Sequence, residues 1–84
     1  MKPTILVVDD DADLRALLTE QLAPRFATVE AADAARALEA LEGHAIDAVV
    51  TDLRMPGRSG TELCAELVRL RPDVPVLIMT AFGS

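Results

Sequence analysis

Ala48-Val49-Val50-Thr51-Asp52-Leu53-Arg54-Met55-Pro56-Gly57-Arg58-Ser59-Gly60 runs from an apolar segment to one carboxylate and then into a loop rich in Pro, Gly and Ser. A short apolar run without alternation is how a strand buried on both faces reads, and such strands belong mainly to parallel sheets. The strand is expected over Ile46–Thr51, delivering Asp52 to its rim. On local grounds Asp52 is an ordinary strand-end acid, of the kind that forms turns or caps helices. What surrounds it elsewhere in the chain decides its reading.

Two further runs share the pattern. Thr4-Ile5-Leu6-Val7-Val8 ends at Asp9-Asp10-Asp11, and Val76-Leu77-Ile78-Met79 ends at Thr80. Phe26 to Ala32 reads as a weaker strand, since Val29 and Ala31 alternate with Thr28 and Glu30. Amphipathic helices separate the four strands. Leu14, Leu17, Leu18 and Leu22 recur at i, i+3, i+4 and i+8 on one helical face, with Asp11 or Asp13 as cap and Pro24 as stop. Asp33 caps a second helix with Ala34, Leu38 and Leu41 on its apolar side and Ala35 alongside; Gly43 closes it. Leu63, Leu67 and Leu70 mark a third, from about Gly60 to Arg71, ended by Pro72-Asp73-Val74-Pro75. Strict β-α-β-α-β-α-β alternation implies right-handed crossovers and a parallel sheet with helices on both faces.

Composition excludes several classes of function. The chain has 84 residues, enough for one small domain. Its net charge is −6, which argues against nucleic-acid binding, because phosphate contact needs clustered Lys and Arg. Cys64 is the one cysteine, so an internal disulfide is impossible. No apolar run approaches the ~20 residues that span a bilayer. Met1-Lys2-Pro3 leads into a strand without a signal-peptide layout, so the cytoplasm is the expected location and no membrane partner is expected.

In an open parallel sheet, ligands bind beyond the carboxyl ends of the strands where the strand order reverses. For the flavodoxin-like order 2-1-3-4 that point lies between strands 1 and 3. There Asp9 and Asp10 meet Asp52, with Thr80 at the next strand end. Crowded carboxylates repel, and burial disfavours their charge further. A hard cation among them relieves both, and Mg²⁺ suits oxygen ligands that include one or two carboxylates, waters and a phosphoryl oxygen. A carboxylate beside Mg²⁺ is also a competent nucleophile toward phosphorus, giving an aspartyl phosphate.

Ile5-Leu6-Val7-Val8-Asp9-Asp10-Asp11, Asp47-Ala48-Val49-Val50-Thr51-Asp52-Leu53-Arg54-Met55-Pro56 with Gly60, and Pro75-Val76-Leu77-Ile78-Met79-Thr80-Ala81 resemble, in order and spacing, the motifs of two-component response-regulator receiver domains, the CheY-like fold. The resemblance implies that Asp52 accepts the phosphoryl group and that Asp9 and Asp10 hold Mg²⁺ directly or through water. It makes the backbone carbonyl of Arg54 the third protein ligand and Thr80 the switch hydroxyl. Asp11 falls at a variable position without a metal role. The implied partners are a histidine kinase or phosphotransfer protein and an output domain that this segment does not include. The Thr80-Ala81-Phe82-Gly83-Ser84 ending is similar to receivers of NtrC-type transcription activators.

Against the family pattern, residues 1–84 form a receiver domain incomplete at its C-terminus, lacking the fifth strand and last two helices. The signature lysine of that fifth strand is missing, and the chain's only lysine is Lys2. Strand 4 then becomes a long apolar edge, an invitation to self-association or domain swapping. Two other functions compete with the phosphoryl-accepting switch. One is a phosphorylation-independent interaction or dimerisation module, favoured by the missing lysine. The other is a Mg²⁺-dependent phosphatase of the haloacid-dehalogenase kind, with Asp9 of Asp9-Asp10-Asp11 as its nucleophile. His44 reads as a solvated loop residue, Cys64 as a small core residue, and Arg54 and Arg58 as solvated loop arginines.

Overall fold

A computed structural model of the chain describes residues 2–52 and 60–79. The elements run β1 (Thr4–Val8), α1 (Ala12–Leu22), β2 (Ala27–Ala31), α2 (Ala34–Gly43), β3 (Ala48–Asp52), α3 (Gly60–Leu70) and β4 (Val76–Met79). The strands form one parallel sheet in the order β2-β1-β3-β4. The expected flavodoxin-like α/β arrangement is therefore present, with its order reversal between β1 and β3.

Strand alternation divides the core between two faces. Leu6, Val8 and Val49 join Ala34, Ala37 and Leu41 of α2 and Leu63 and Leu67 of α3 in one buried cluster. Ile5 and Val7 are buried on the opposite face, where α1 packs on β1 and β2. All four apolar residues of β1 from Ile5 to Val8 are buried, as an unalternating run requires. Register is pinned at the other end of the sheet: Asp47 Oδ2 accepts from Thr4 N–H at 2.7 Å, and Asp47 N–H donates to Thr4 O at 2.8 Å.

Some sequence expectations are corrected. The Leu14-Leu17-Leu18-Leu22 face buries no residue; Leu14 is 39% and Leu17 50% exposed. The helix reaches only the β1–β2 half of the sheet, and among the described residues nothing packs on its outer side. In α2 the expected Ala34 and Leu41 are buried and Leu38 packs half-buried against the core, but Ala37 joins the buried set and Ala35 is exposed. Leu70 is 51% exposed at the end of α3. β3 starts at Ala48, after a bend at Asp47, and β2 starts at Ala27. Gly43 is the last residue of α2, and His44 caps it in extended backbone, its N–H donating to Ala40 O. His44 is exposed and Cys64 half-buried.

Candidate functional site

The site is built where β1 and β3 end side by side. The pairing Val8↔Thr51 closes their ladder, so the next residue of β1, Asp9, arrives beside Asp52, the last of β3. One carboxylate oxygen from each of Asp9, Asp10 and Asp52 lies within 4.8 Å of the others. Burial grades across the three: Asp9 is buried, Asp52 half-buried and Asp10 exposed. The cluster thus has an inner wall and an open mouth.

Asp9 is the anomaly in this group, being 1% exposed. Its Oδ1 accepts from the Asp11 backbone N–H at 2.9 Å. Its Oδ2 is buried and has no hydrogen-bond partner among the described residues. Burial pushes the Asp9 carboxyl above the ordinary carboxylate range; the Asp11 bond opposes this, while the charges of Asp52, Asp10 and Asp11 add to it. An orphaned anionic oxygen beside two further carboxylates is the donor set of a hard cation. It fits Mg²⁺, which binds through few carboxylates and keeps its waters.

Local chemistry explains the placement. Asp11 takes the cap role: its Oδ1 accepts from Asp13 N–H at 3.0 Å and from Leu14 N–H at 3.2 Å. With Asp11 so engaged, Asp9 and Asp10 are left to the crevice. Thr51, fully buried, turns its Oγ1 to the Asp52 carbonyl at 3.2 Å. Lys2 lies at the opposite end of the fold, its Nζ donating to Ala23 O at 3.1 Å beyond α1. Arg54, Arg58, Thr80 and the Thr80–Ser84 ending lie outside the described residues.

Two residues that sequence reasoning passed over also belong to this neighbourhood. Arg15 Nη1 donates to the Asp9 carbonyl at 2.7 Å, and Arg15 Nε pairs with Glu30 Oε1 of β2 at 3.1 Å. The available signal was a cation set next to Leu14 in α1, with an acid near the end of a neighbouring strand.

Known proteins resemble this chain in sequence and in fold. The family model described as "Response regulator receiver domain" matches residues 5–84. The transcriptional regulatory protein TcrA of Mycobacterium tuberculosis is 44% identical over 81 residues, which are 95% of this chain and 32% of TcrA. The transcriptional regulatory protein GlrR of Escherichia coli is 40% identical, over 95% of this chain and 18% of GlrR. The chain thus spans a third or less of the length of these curated relatives. Among solved structures, the response regulator TrrA of Thermotoga maritima, in complex with Mg²⁺ and BeF, superimposes with a TM-score of 0.90 at 34% identity, covering 99% of this chain and 72% of TrrA. With the acidic triad at the β1–β3 reversal and a family match through nearly its whole length, the chain belongs to the response regulator receiver domain family.

Proposed function

We propose that residues 1–84 act as a phosphoryl-accepting receiver, with Asp52 as the acceptor and Asp9, Asp10 and Asp52 as the acidic ligands of Mg²⁺. The observation that carries this is the convergence of the three carboxylates around the unpartnered Oδ2 of Asp9. Bound Mg²⁺ would neutralise the triad and the developing charge on the phosphoryl oxygens. A carboxylate oxygen of Asp52 forms the new O–P bond, in line with the breaking P–N bond of a phosphohistidine on a kinase or phosphotransfer protein. The imidazole nitrogen leaves with the electron pair and takes a proton from water. Asp52 is half-buried, which leaves it reachable from the crevice mouth, while Asp9 anchors the base. In the same reading the backbone carbonyl of Arg54 completes the protein ligands and Thr80 is the switch hydroxyl. The domain modifies itself and turns over no external metabolite; its output passes to a further domain in a cytoplasmic signalling protein, of the NtrC kind.

Incubation with acetyl phosphate and Mg²⁺, followed by intact mass, tests the proposal. A gain of one phosphoryl group, abolished in Asp52→Asn, is expected. A wild type that gains nothing overturns it, and label on Asp9 would move the chain to the haloacid-dehalogenase reading.

One observation favours a second role, self-association with another copy. β4 is the edge of the sheet among the described residues, and it exposes 59% of Leu77 and 36% of Ile78. An apolar strand edge of this kind pairs readily with an identical one. Light scattering over a concentration series decides it, a constant monomer mass being the adverse result.

A further inference from the structure

We infer that Arg15 is a positioning residue of the acidic site: clamped by Glu30, it fixes the Asp9 peptide so that Oδ2 is the oxygen left for the cation. The inference rests on the Mg²⁺ site proposed above and adds a part to it.

Asp9 is held at three points. Its N–H donates to Ala31 O of β2 at 3.1 Å. Its carbonyl accepts from Arg15 Nη1 at 2.7 Å. Its Oδ1 accepts from Asp11 N–H at 2.9 Å. The first two bonds fix the backbone on either side of the Asp9 Cα, and so the direction of its Cβ. The second also sets the plane of the peptide leading to Asp10, from which the Asp11 N–H is aimed. Rotation of that peptide would carry the Asp11 donor away from Oδ1 and free the carboxylate to turn. The ladders of β1 with β2 and with β3 close at Val8↔Ala31 and Val8↔Thr51, so neither neighbouring strand supplies a ladder donor to the Asp9 carbonyl. A buried carbonyl needs one, and Arg15 supplies it.

Arg15 itself is held. Its side chain is 18% exposed, and its Nε meets Glu30 Oε1 at 3.1 Å. One planar guanidinium therefore serves two acceptors in different directions, Glu30 through Nε and Asp9 through Nη1, which the single nitrogen of a lysine cannot reproduce. Arg15 sits in the opening turn of α1, its N–H bonded to Asp11 O at 2.9 Å. The helix start, the end of β2 and the base of the site are thus tied by one side chain. Partners at one remove from a metal change its affinity about 10-fold or more when removed.

The test compares wild type with Arg15→Ala, Arg15→Lys and Glu30→Gln by two measurements on folded protein. The first is hydrogen exchange of the Asp11 amide in EDTA. The second is the Mg²⁺ dissociation constant from backbone amide shifts of Asp10 and Asp11. Arg15→Ala is expected to speed Asp11 exchange about 10-fold beyond the change at the other amides of α1 and to weaken Mg²⁺ about 10-fold. Arg15→Lys is expected to recover part of both. Should Arg15→Ala not fold, Glu30→Gln, which keeps the guanidinium but removes the charge anchoring it, is expected to shift both measures about threefold in the same direction. A residue that merely pins α1 to β2 would lower the melting temperature while leaving Asp11 exchange and Mg²⁺ affinity at wild-type values; that result overturns the inference. A wild type that binds no Mg²⁺ would overturn the site proposal instead, and Asp11 exchange in EDTA would still decide the role of Arg15.

Discussion

Asp9 Oδ1 accepts a 2.9 Å hydrogen bond from the backbone N–H of Asp11, and the other oxygen of the same buried carboxylate has no partner among the described residues. One oxygen of the side chain is thus satisfied by the fold, and the other is left, among the described residues, for the cation proposed above. Charge left in this way is a burden on stability and a source of affinity.

The burden has a sign that can be measured. The Asp9 carboxyl is raised above 3.8, first by burial and then by the neighbouring acids. The native state therefore holds a proton that the unfolded chain has released, over the interval between the two values. Stability from this group is fully present below the unfolded value and is lost as pH rises through the folded one. In metal-free buffer at neutral pH, Asp9→Asn is expected to stabilise the domain by about 1 kcal/mol, because Asn keeps an acceptor for Asp11 N–H and removes the unpaired charge. The gain is expected to vanish as pH falls below the ordinary carboxylate range. Urea unfolding of both proteins across pH checks this.

The affinity follows from the same oxygen. A cation that binds only the native state raises stability by RT ln(1 + [L]/Kd), about 2.7 kcal/mol at a hundredfold excess over Kd. Mg²⁺ is expected to raise the wild-type melting temperature and to leave Asp9→Asn and Asp52→Asn nearly unmoved. Melts in EDTA and in rising Mg²⁺ provide the comparison, with Ca²⁺ as a probe of selectivity.

Caps should behave as local and metal-independent features. Asp11 accepts from two free N–H groups of α1, and Asp33 accepts from Arg36 N–H at 2.8 Å at the head of α2. Each replacement by Ala is expected to destabilise by about 1 kcal/mol. Asp11→Ala is expected to leave Mg²⁺ affinity within about threefold of wild type, since its carboxylate serves the helix and only its N–H serves Asp9. Denaturant midpoints paired with Mg²⁺ titrations separate the two effects.

How much of this could be read from residues alone depended on how many constraints each residue expressed. β1 and β4 run over the expected residues because an apolar run bounded by Pro or Asp has one place to start and stop. The meeting of Asp9, Asp10 and Asp52 followed from strand order alone, since the switch point makes those strand ends neighbours. The α1 leucines misled, because periodicity reports that a face is apolar but not that anything covers it. Ala37 was missed in α2 because alanine on one side of a helix looks the same as alanine on the other. Arg15 and Glu30 were missed because their link depends on the packing of α1 against β2, which the places of the two charges in the chain suggest only once that packing is known.

The division between buried and exposed leucines gives the sharpest test of the packing. Leu63 and Leu67 are 0% and 1% exposed and belong to the buried cluster that includes Leu6, Val8 and Val49, whereas Leu14, Leu17 and Leu77 are 39%, 50% and 59% exposed. Periodicity treats the α1 and α3 leucines alike; burial does not. Replacing Leu63 or Leu67 by Ala removes buried methylenes and leaves a cavity, at about 2–5 kcal/mol. A small domain has about 5 kcal/mol in all, so either variant is expected to lose its cooperative melt or shift it by about 8 °C or more, at about 4–8 °C per kcal/mol. Leu14→Ala and Leu17→Ala are expected to cost under about 1 kcal/mol, because water already reaches much of each side chain. Leu77→Lys separates stability from association: on an edge strand it is expected to leave the melt of dilute protein in place and to reduce the mass seen by light scattering at high concentration. Equal losses for Leu14 and Leu63 would show that α1 is covered in solution, by another copy or by another part of the sheet face.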